Sequence, residues 1–262
     1  MLVYIRGAGV TASAIAARLY RANCRIVMSD REHPHALRRN ICYAEALRSG
    51  STVVASIGAA AAKDPEQAVH ILRRDKIVVI ADPDGNMRGT LPFDACIDTV
   101  MEGRETDTSI EDAPIVIGVG SRFRPGKNCH AVVIAHREGY CGQVWYEGTG
   151  FPGALQQEEA CEKKDHYRLM VPGGGLFYPV SEIGDPVKKG ETLAVVDSEP
   201  VVCPEDGILS GILPGGTPVE PGRYGAVVYT GKRPFLKDVL PEKDMAVAGG
   251  VLEALLHFRD IY

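Results

Sequence analysis

The feature that most restricts how this chain can fold is a repeat of 32 residues towards its carboxyl end. Gly175, Gly184, Pro186, Val187, Gly190, Ala194, Val195 and Val196 return, without a gap, as Gly207, Gly216, Pro218, Val219, Gly222, Ala226, Val227 and Val228. Leu176 and Val180 return as Ile208 and Ile212. An ungapped repeat predicts two equivalent β-units packing face to face, since neither can cover its apolar side alone.

Each copy runs from an apolar pair through Gly-x-Pro-Val-x-x-Gly into an apolar strand. Gly184-Asp185-Pro186-Val187-Lys188-Lys189-Gly190 and Cys203-Pro204-Glu205-Asp206-Gly207 carry the pattern. It resembles the barrel-sandwich hybrid of biotinyl and lipoyl domains. In such domains a lysine on the hairpin between the halves holds the prosthetic group. Here the link is Val196-Asp197-Ser198-Glu199-Pro200-Val201, without lysine, and Lys188 and Lys189 fall in another turn. Neither biotin nor lipoate is expected.

Residues 1 to 80 alternate strand and helix. Leu2 to Ile5, Arg25 to Ser29, Thr52 to Ala55 and Ile77 to Ile80 are short apolar runs suited to buried parallel strands. Between them lie a helix over Thr11 to Ala22, one starting at Pro34 and carrying Tyr43 to Leu47, and one capped by Asp64 with Pro65 as first residue. This order predicts a Rossmann-like parallel sheet with right-handed crossovers.

The first strand meets the first helix at Gly7-Ala8-Gly9-Val10-Thr11-Ala12, a G-x-G-x-x-A turn. Such a turn lets backbone approach an anion at the helix start. Asp30 ends the next strand, 21 residues past Gly9, near the ~20 expected of a ribose-binding acid. The expectation is a bound nucleotide or dinucleotide; the competing reading is that these glycines serve packing alone. Arg38 and Arg39 follow, placed either to clamp a 2′-phosphate through forked hydrogen bonds or to form a solvated face. Asp30 would repel a 2′-phosphate, so the choice between NAD and NADP stays open.

A second candidate anion loop follows the apolar run Ile115 to Ile117. It reads Gly118-Val119-Gly120-Ser121-Arg122-Phe123-Arg124-Pro125-Gly126-Lys127. Gly118 and Gly120 would bring backbone close, and Arg122, Arg124 and Lys127 would supply charge. The spacing is not that of a P-loop, and a solvent-exposed basic hairpin is the competing reading. Glu147, Gly148 and Gly150 are read as a pocket rim. His130 and His136 flank an apolar run, but no histidine or carboxylate spacing predicts a metal site. No catalytic residue can be named: there is no G-x-S-x-G elbow.

Formal net charge is -5, which gives no global basic field for nucleic acid or anionic lipid. The seven cysteines are scattered and form no C-x-x-C, so reduced thiols are expected. No leader is recognised in the opening residues, and no apolar run approaches the ~20 residues that span a bilayer. The expectation is a cytoplasmic protein. Its domains are expected at 1-155 (Rossmann-like with a β extension), at 166-232 (the repeat) and at 240-262. The last is a helix docking on the N-terminal domain, and 156–166 is the linker.

Across nearly its full length the chain resembles the YqeB family of selenium-dependent molybdenum hydroxylase accessory proteins. The carriers are Ile5-Arg6-Gly7-Ala8-Gly9, Arg38-Arg39, Ala44-Glu45-Ala46, Asp112-Ala113-Pro114-Ile115-Val116-Ile117-Gly118, Gly126-Lys127, His130-Ala131-Val132, Val187-Lys188-Lys189-Gly190 and Gly249-Gly250-Val251-Leu252-Glu253-Ala254. The resemblance implies a Rossmann-like fold and a part in maturing such hydroxylases; taken with the two phosphate-ready loops, the first hypothesis is a maturation factor that binds a nucleotide-bearing cofactor, such as a pterin dinucleotide. Its partner would be a molybdenum hydroxylase or another maturation factor. Two departures from the family pattern bear on the ligand: Val10 stands where an acidic residue is usual, and the stretch from Ala135 to Cys141 is altered. The alternatives are an NAD(P)-dependent oxidoreductase and a non-catalytic structural adaptor.

Overall fold

The computed structural model describes residues 1–100, 107–135, 140–148 and 165–259. The chain divides into two units. One comprises Met1–Pro34, Tyr43–Cys161 and Leu240–Tyr262; the other comprises His35–Cys42 and Glu162–Val239.

The first unit contains β1 (Leu2–Arg6), α1 (Val10–Arg21), β2 (Arg25–Asp30), α2 (Glu45–Ser49), β3 (Ser51–Val54), β4 (Ile57–Ala62), α3 (Pro65–Leu72), β5 (Ile77–Ala81), β6 (Ala95–Asp98), β7 (Ile115–Val119), β8 (Ala131–Val133) and β9 (Val144–Trp145). They form one nine-stranded sheet in the order β3-β4-β5-β2-β1-β6-β7-β8-β9. The β3–β4 and β8–β9 pairs are antiparallel and the rest are parallel. Val3, Tyr4 and Ile5 on β1 are fully buried, as continuous apolar strands covered on both faces should be.

Local chemistry accounts for the element ends. Asp64 accepts a hydrogen bond from the Gln67 amide (2.7 Å), Gln67 reaches back to the Lys63 amide (2.7 Å), and Pro65 opens α3. The final helix, from Glu242 to Arg259, packs along α1 and against β7, β8 and β9. Gly250 permits this: a Cβ there would lie 2.2 Å from the Gly142 carbonyl oxygen.

The second unit holds β10 (His166–Met170), β11 (Gly175–Pro179), β12 (Pro186–Val187), β13 (Thr192–Val196), β14 (Glu199–Val202), β15 (Gly207–Ile212), β16 (Thr217–Val219) and β17 (Tyr224–Tyr229). Two antiparallel sheets result, β10-β17-β15-β12 and β14-β13-β11-β16. Shifting by 32 residues carries one sheet onto the other, strand for strand. Phe177, Leu193 and Val196 from one sheet share a buried core with Leu209, Ala226 and Val228 from the other. Leu37 packs on this core, and its carbonyl accepts from the Ile212 amide at 2.8 Å.

This architecture corrects the expected fold class, a Rossmann-like parallel sheet domain joined to a biotinyl/lipoyl-type barrel-sandwich hybrid. The large sheet is mixed. The chain reverses at Ala55 and Ser56, both with positive φ (50° and 66°), so the expected third parallel strand is half of an antiparallel hairpin. Its other half, Ile57–Ala62, is alanine-rich and carries a weak strand signal. The helix expected from Pro34 is replaced by a segment in the second unit, with a 3₁₀ turn at Arg39–Ile41, and by the five-residue α2. The repeat copies do not form separate face-to-face units, because β12 of the first copy pairs with β15 of the second, and β16 with β11.

Candidate functional site

Parallel strands deliver their carboxyl ends to one edge. Ligands of open α/β sheets bind outside that edge, where strand order reverses. Here β1 sits between β2 and β6, and the chain passes from β1 to β2 on one side and later to β6 on the other. Arg6 ends β1 and is the register partner of Asp98, which ends β6. Asp30 ends β2, and Gly118 is the neighbour of Asp98 on β7.

The glycine turn opens at this edge. Gly7 has φ +103°, and an added Cβ would meet Thr99 Oγ1 at 2.4 Å. Its amide donates to the Ser29 carbonyl (2.7 Å), and the Ala8 amide donates to Asp30 Oδ2 (2.8 Å). Gly9 is the N-cap of α1, with no side chain capping the helix and nothing within 4 Å of a Cβ placed there. Thr11 donates its hydroxyl to Asp244 Oδ1 on the last helix (2.5 Å). The helix start is therefore open at Gly9 and flanked by two carboxylates. Asp30 tethers the turn itself: its other oxygen accepts from the Arg31 amide (2.8 Å).

Beside the turn lies a charged cluster. The Arg6 guanidinium donates to Asp107 Oδ1 (2.6 Å), to Thr108 Oγ1 (3.3 Å) and to the Pro83 carbonyl (3.4 Å), and stands 3.8 Å from Asp98 Oδ2. Asp98 is fully buried and accepts from Thr108 Oγ1 (2.6 Å) and the Val100 amide (2.8 Å). Arg88 donates to Asp107 Oδ2 (2.7 Å), Asp112 Oδ2 (2.5 Å) and the Gly85 carbonyl (2.8 Å). Asp82 accepts from the Asn86 and Met87 amides and so caps the 3₁₀ turn that carries Arg88. Partial burial works against ionisation of Asp107, but hydrogen bonds from Arg6 and Arg88 outweigh it and hold this carboxyl below its ordinary range. The buried Tyr4 phenol shares a 2.6 Å hydrogen bond with Ser29, and burial pushes it up. Burial thus favours the neutral Tyr4 phenol, while Arg6 and Arg88 favour the ionised Asp107 carboxylate.

The structure brings Gly7, Ala8, Gly9, Val10, Thr11, Asp30, Gly118 and Gly120 to the same sheet edge, and places Arg38 and Arg39 in the other unit. In the second glycine loop, Gly118 makes room for the buried Phe123, whose ring would lie 2.0 Å from an added Cβ. Four of that loop's amides are spent internally: Gly120 on the Val133 carbonyl, Arg124 on Asn128 Oδ1, Gly126 on the Cys129 carbonyl, and Lys127 on the Arg124 carbonyl. Arg124 and Lys127 are exposed and Arg122 is half-buried, so the loop offers side-chain charge rather than a backbone nest. His136 and Gly150 lie outside the described residues, as does the expected linker apart from Asp165 and His166. Among the described residues no group of three or more His, Cys, Asp or Glu could hold a metal ion. No helix there is long and apolar enough to cross a membrane.

Sequence reasoning missed Arg6, Arg88, Asp98, Asp107 and Asp112 as a site. A signal existed for two of them. Leu-Val-Tyr-Ile-Arg and Ala-Cys-Ile-Asp each end an apolar strand on a charge, at the end where α/β sheets bind ligands.

The chain thus belongs to a class of two-unit proteins in which an α/β unit with a mixed sheet carries a charged, glycine-lined edge, and a second unit is built from two antiparallel sheets. No family model matches it. It is 31% identical over 261 residues to a protein of Escherichia coli (strain K12) named "Uncharacterized protein YqeB"; the match takes in 97% of this chain and 47% of that one. The chain spans about half the length of that relative. Two solved structures also align. One is an aspartoacylase family protein from Mesorhizobium loti (10% identity, 87% of this chain and 84% of the other, TM-score 0.28). The other is a succinylglutamate desuccinylase/aspartoacylase from Rhodobacter sphaeroides (14% identity, 87% and 85%, TM-score 0.25). At such TM-scores these likenesses carry no argument.

Proposed function

We propose that the chain is an accessory protein in the maturation of a selenium-dependent molybdenum hydroxylase, and that it binds a nucleotide or other phosphate-bearing cofactor at the carboxyl edge of its large sheet. The observation that carries the binding reading is the uncapped start of α1 at Gly9, open to space at the point where strand order reverses. A phosphate would sit on the first-turn amides, and ribose hydroxyls would face Asp30. The maturation role rests on the resemblance to the YqeB family.

Native mass spectrometry of gently purified protein, with release and identification of any bound nucleotide, tests this. A pterin dinucleotide is the expected result, and NAD or NADP would instead point to an oxidoreductase. Gly9→Val supplies the control. Its side chain would project into open space, so the fold should persist while the ligand is lost.

One observation favours a second reading, the structural adaptor. Asp244 already accepts from Thr11 and puts a negative charge at the helix mouth. Protein that carries no nucleotide under several conditions, with Gly9→Val indistinguishable from the parent, would establish the adaptor instead.

A further inference from the structure

We propose that Arg6 and Arg88 form a preorganised two-guanidinium clamp for a phosphate-class oxyanion, with Asp107 as the internal carboxylate that such an anion displaces. This deepens the phosphate-ligand reading above and rests on it.

Three observations carry the inference. First, the exposures are lopsided. The Arg6 and Arg88 side chains are only 10% and 14% exposed, whereas the Asp107 carboxylate that joins them is 63% exposed. A group so exposed can swing into water at little cost, and the arginines it leaves stay where they are.

Second, each arginine has its own tethers. Arg6 is held by Thr108, the Pro83 carbonyl and nearby Asp98, and Arg88 by Asp112 and the Gly85 carbonyl. The clamp therefore survives the departure of Asp107, and an incoming anion meets donors already in position.

Third, Asp107 offers each arginine a single oxygen, Oδ1 to Arg6 and Oδ2 to Arg88. An oxyanion with three oxygens can accept from both guanidinium forks at once. Its greater charge also favours it over the single negative charge of Asp107.

The test is calorimetric titration of inorganic pyrophosphate into the full chain at low ionic strength, with malonate as the carboxylate control. If Asp107 fills the clamp roughly nine-tenths of the time, Asp107→Ala should bind pyrophosphate about tenfold more tightly than the parent. Adding Arg88→Met to that variant should abolish binding. Arg88→Lys, which keeps the charge but loses the fork, should bind more weakly than Asp107→Ala alone and guards against a misfolded methionine variant. Arg6 is left intact because its removal would take a positive charge from beside the buried Asp98 carboxylate.

Equal affinity in parent and Asp107→Ala, or no binding in either, overturns the inference; so does malonate binding as well as pyrophosphate. The two readings fail separately. A nucleotide that co-purifies while Asp107→Ala gains nothing removes the clamp alone. Clamp behaviour towards pyrophosphate with no nucleotide ever found removes the nucleotide reading alone.

Discussion

Replacing Gly7 by alanine puts two separable stresses on the turn that opens the binding edge. The backbone stress comes from φ +103°, a conformation L side chains rarely adopt; holding alanine there costs about 1–2 kcal/mol. The packing stress comes from Thr99, whose Oγ1 would lie 2.4 Å from the new methyl carbon; overpacking of this kind costs about 1–3 kcal/mol. The Thr99 hydroxyl donates to the Arg6 carbonyl at 2.7 Å, while the Thr99 amide donates to the same oxygen at 3.0 Å. Thr99→Ala therefore leaves that carbonyl partnered and should cost roughly 1 kcal/mol. Gly7→Ala alone should lose roughly 2–5 kcal/mol on combining the backbone and overpacking costs. The double variant should recover the packing part, so the two substitutions couple by about 1–3 kcal/mol. Urea unfolding followed by Trp145 fluorescence reads this directly, because Trp145 is the sole tryptophan and lies in the same unit. Strict additivity of the two substitutions would refute the steric argument. A Gly7→Ala variant as stable as the parent would refute the conformational one.

Three further outcomes follow from other parts of the first unit. Asp64→Ala removes the cap of α3 and should cost about 1 kcal/mol in the same unfolding assay. Asp107 is held below its ordinary value of 3.8. The stability it adds is therefore fully present above that value and is lost as pH falls through its lower folded value; the stability gap between the parent and Asp107→Asn should stay level near neutrality and close under acid. Burial pushes the Cys129 thiol up to about 12, against the pull of the Gly118 and Arg124 backbone. On the order of one molecule in ten thousand is then thiolate at pH 8, so iodoacetamide should spare Cys129 in the native protein and modify it after denaturation, as read by peptide mass spectrometry.

How much could be read in advance differed with the range of the interaction. Local patterns placed β1, α1, β2, α3 and β5 within a residue or so, because apolar runs, a glycine turn and an Asp-Pro helix start act over a few positions. The β3–β4 hairpin escaped, since Ala55 and Ser56 make a positive-φ reversal without glycine or asparagine, and Gly58–Ala62 lacks the β-branched residues that mark strands. The excursion of residues 35–42 into the second unit was also hidden: nothing local marks Leu37 as a residue whose carbonyl will serve Ile212. The 32-residue repeat was plain in the sequence, but its strand exchange was not. Similar residues recur whether the copies pair within themselves or with each other.

The same distinction explains the candidate site. Gly7 and Gly9 are legible because a turn announces itself in adjacent residues. Arg6, Arg88 and Asp107 are not, because their relation depends on register across β1 and β6 and on a 3₁₀ turn capped by Asp82. Each carboxylate at this edge has an internal duty: Asp98 is buried with Thr108, Asp30 ties down Ala8, Asp82 caps the turn and Asp112 holds Arg88. Asp107 is the one whose removal leaves these arrangements standing. Its two hydrogen bonds go to donors already anchored elsewhere, so among these carboxylates it is the group a competing anion can replace without dismantling the sheet edge.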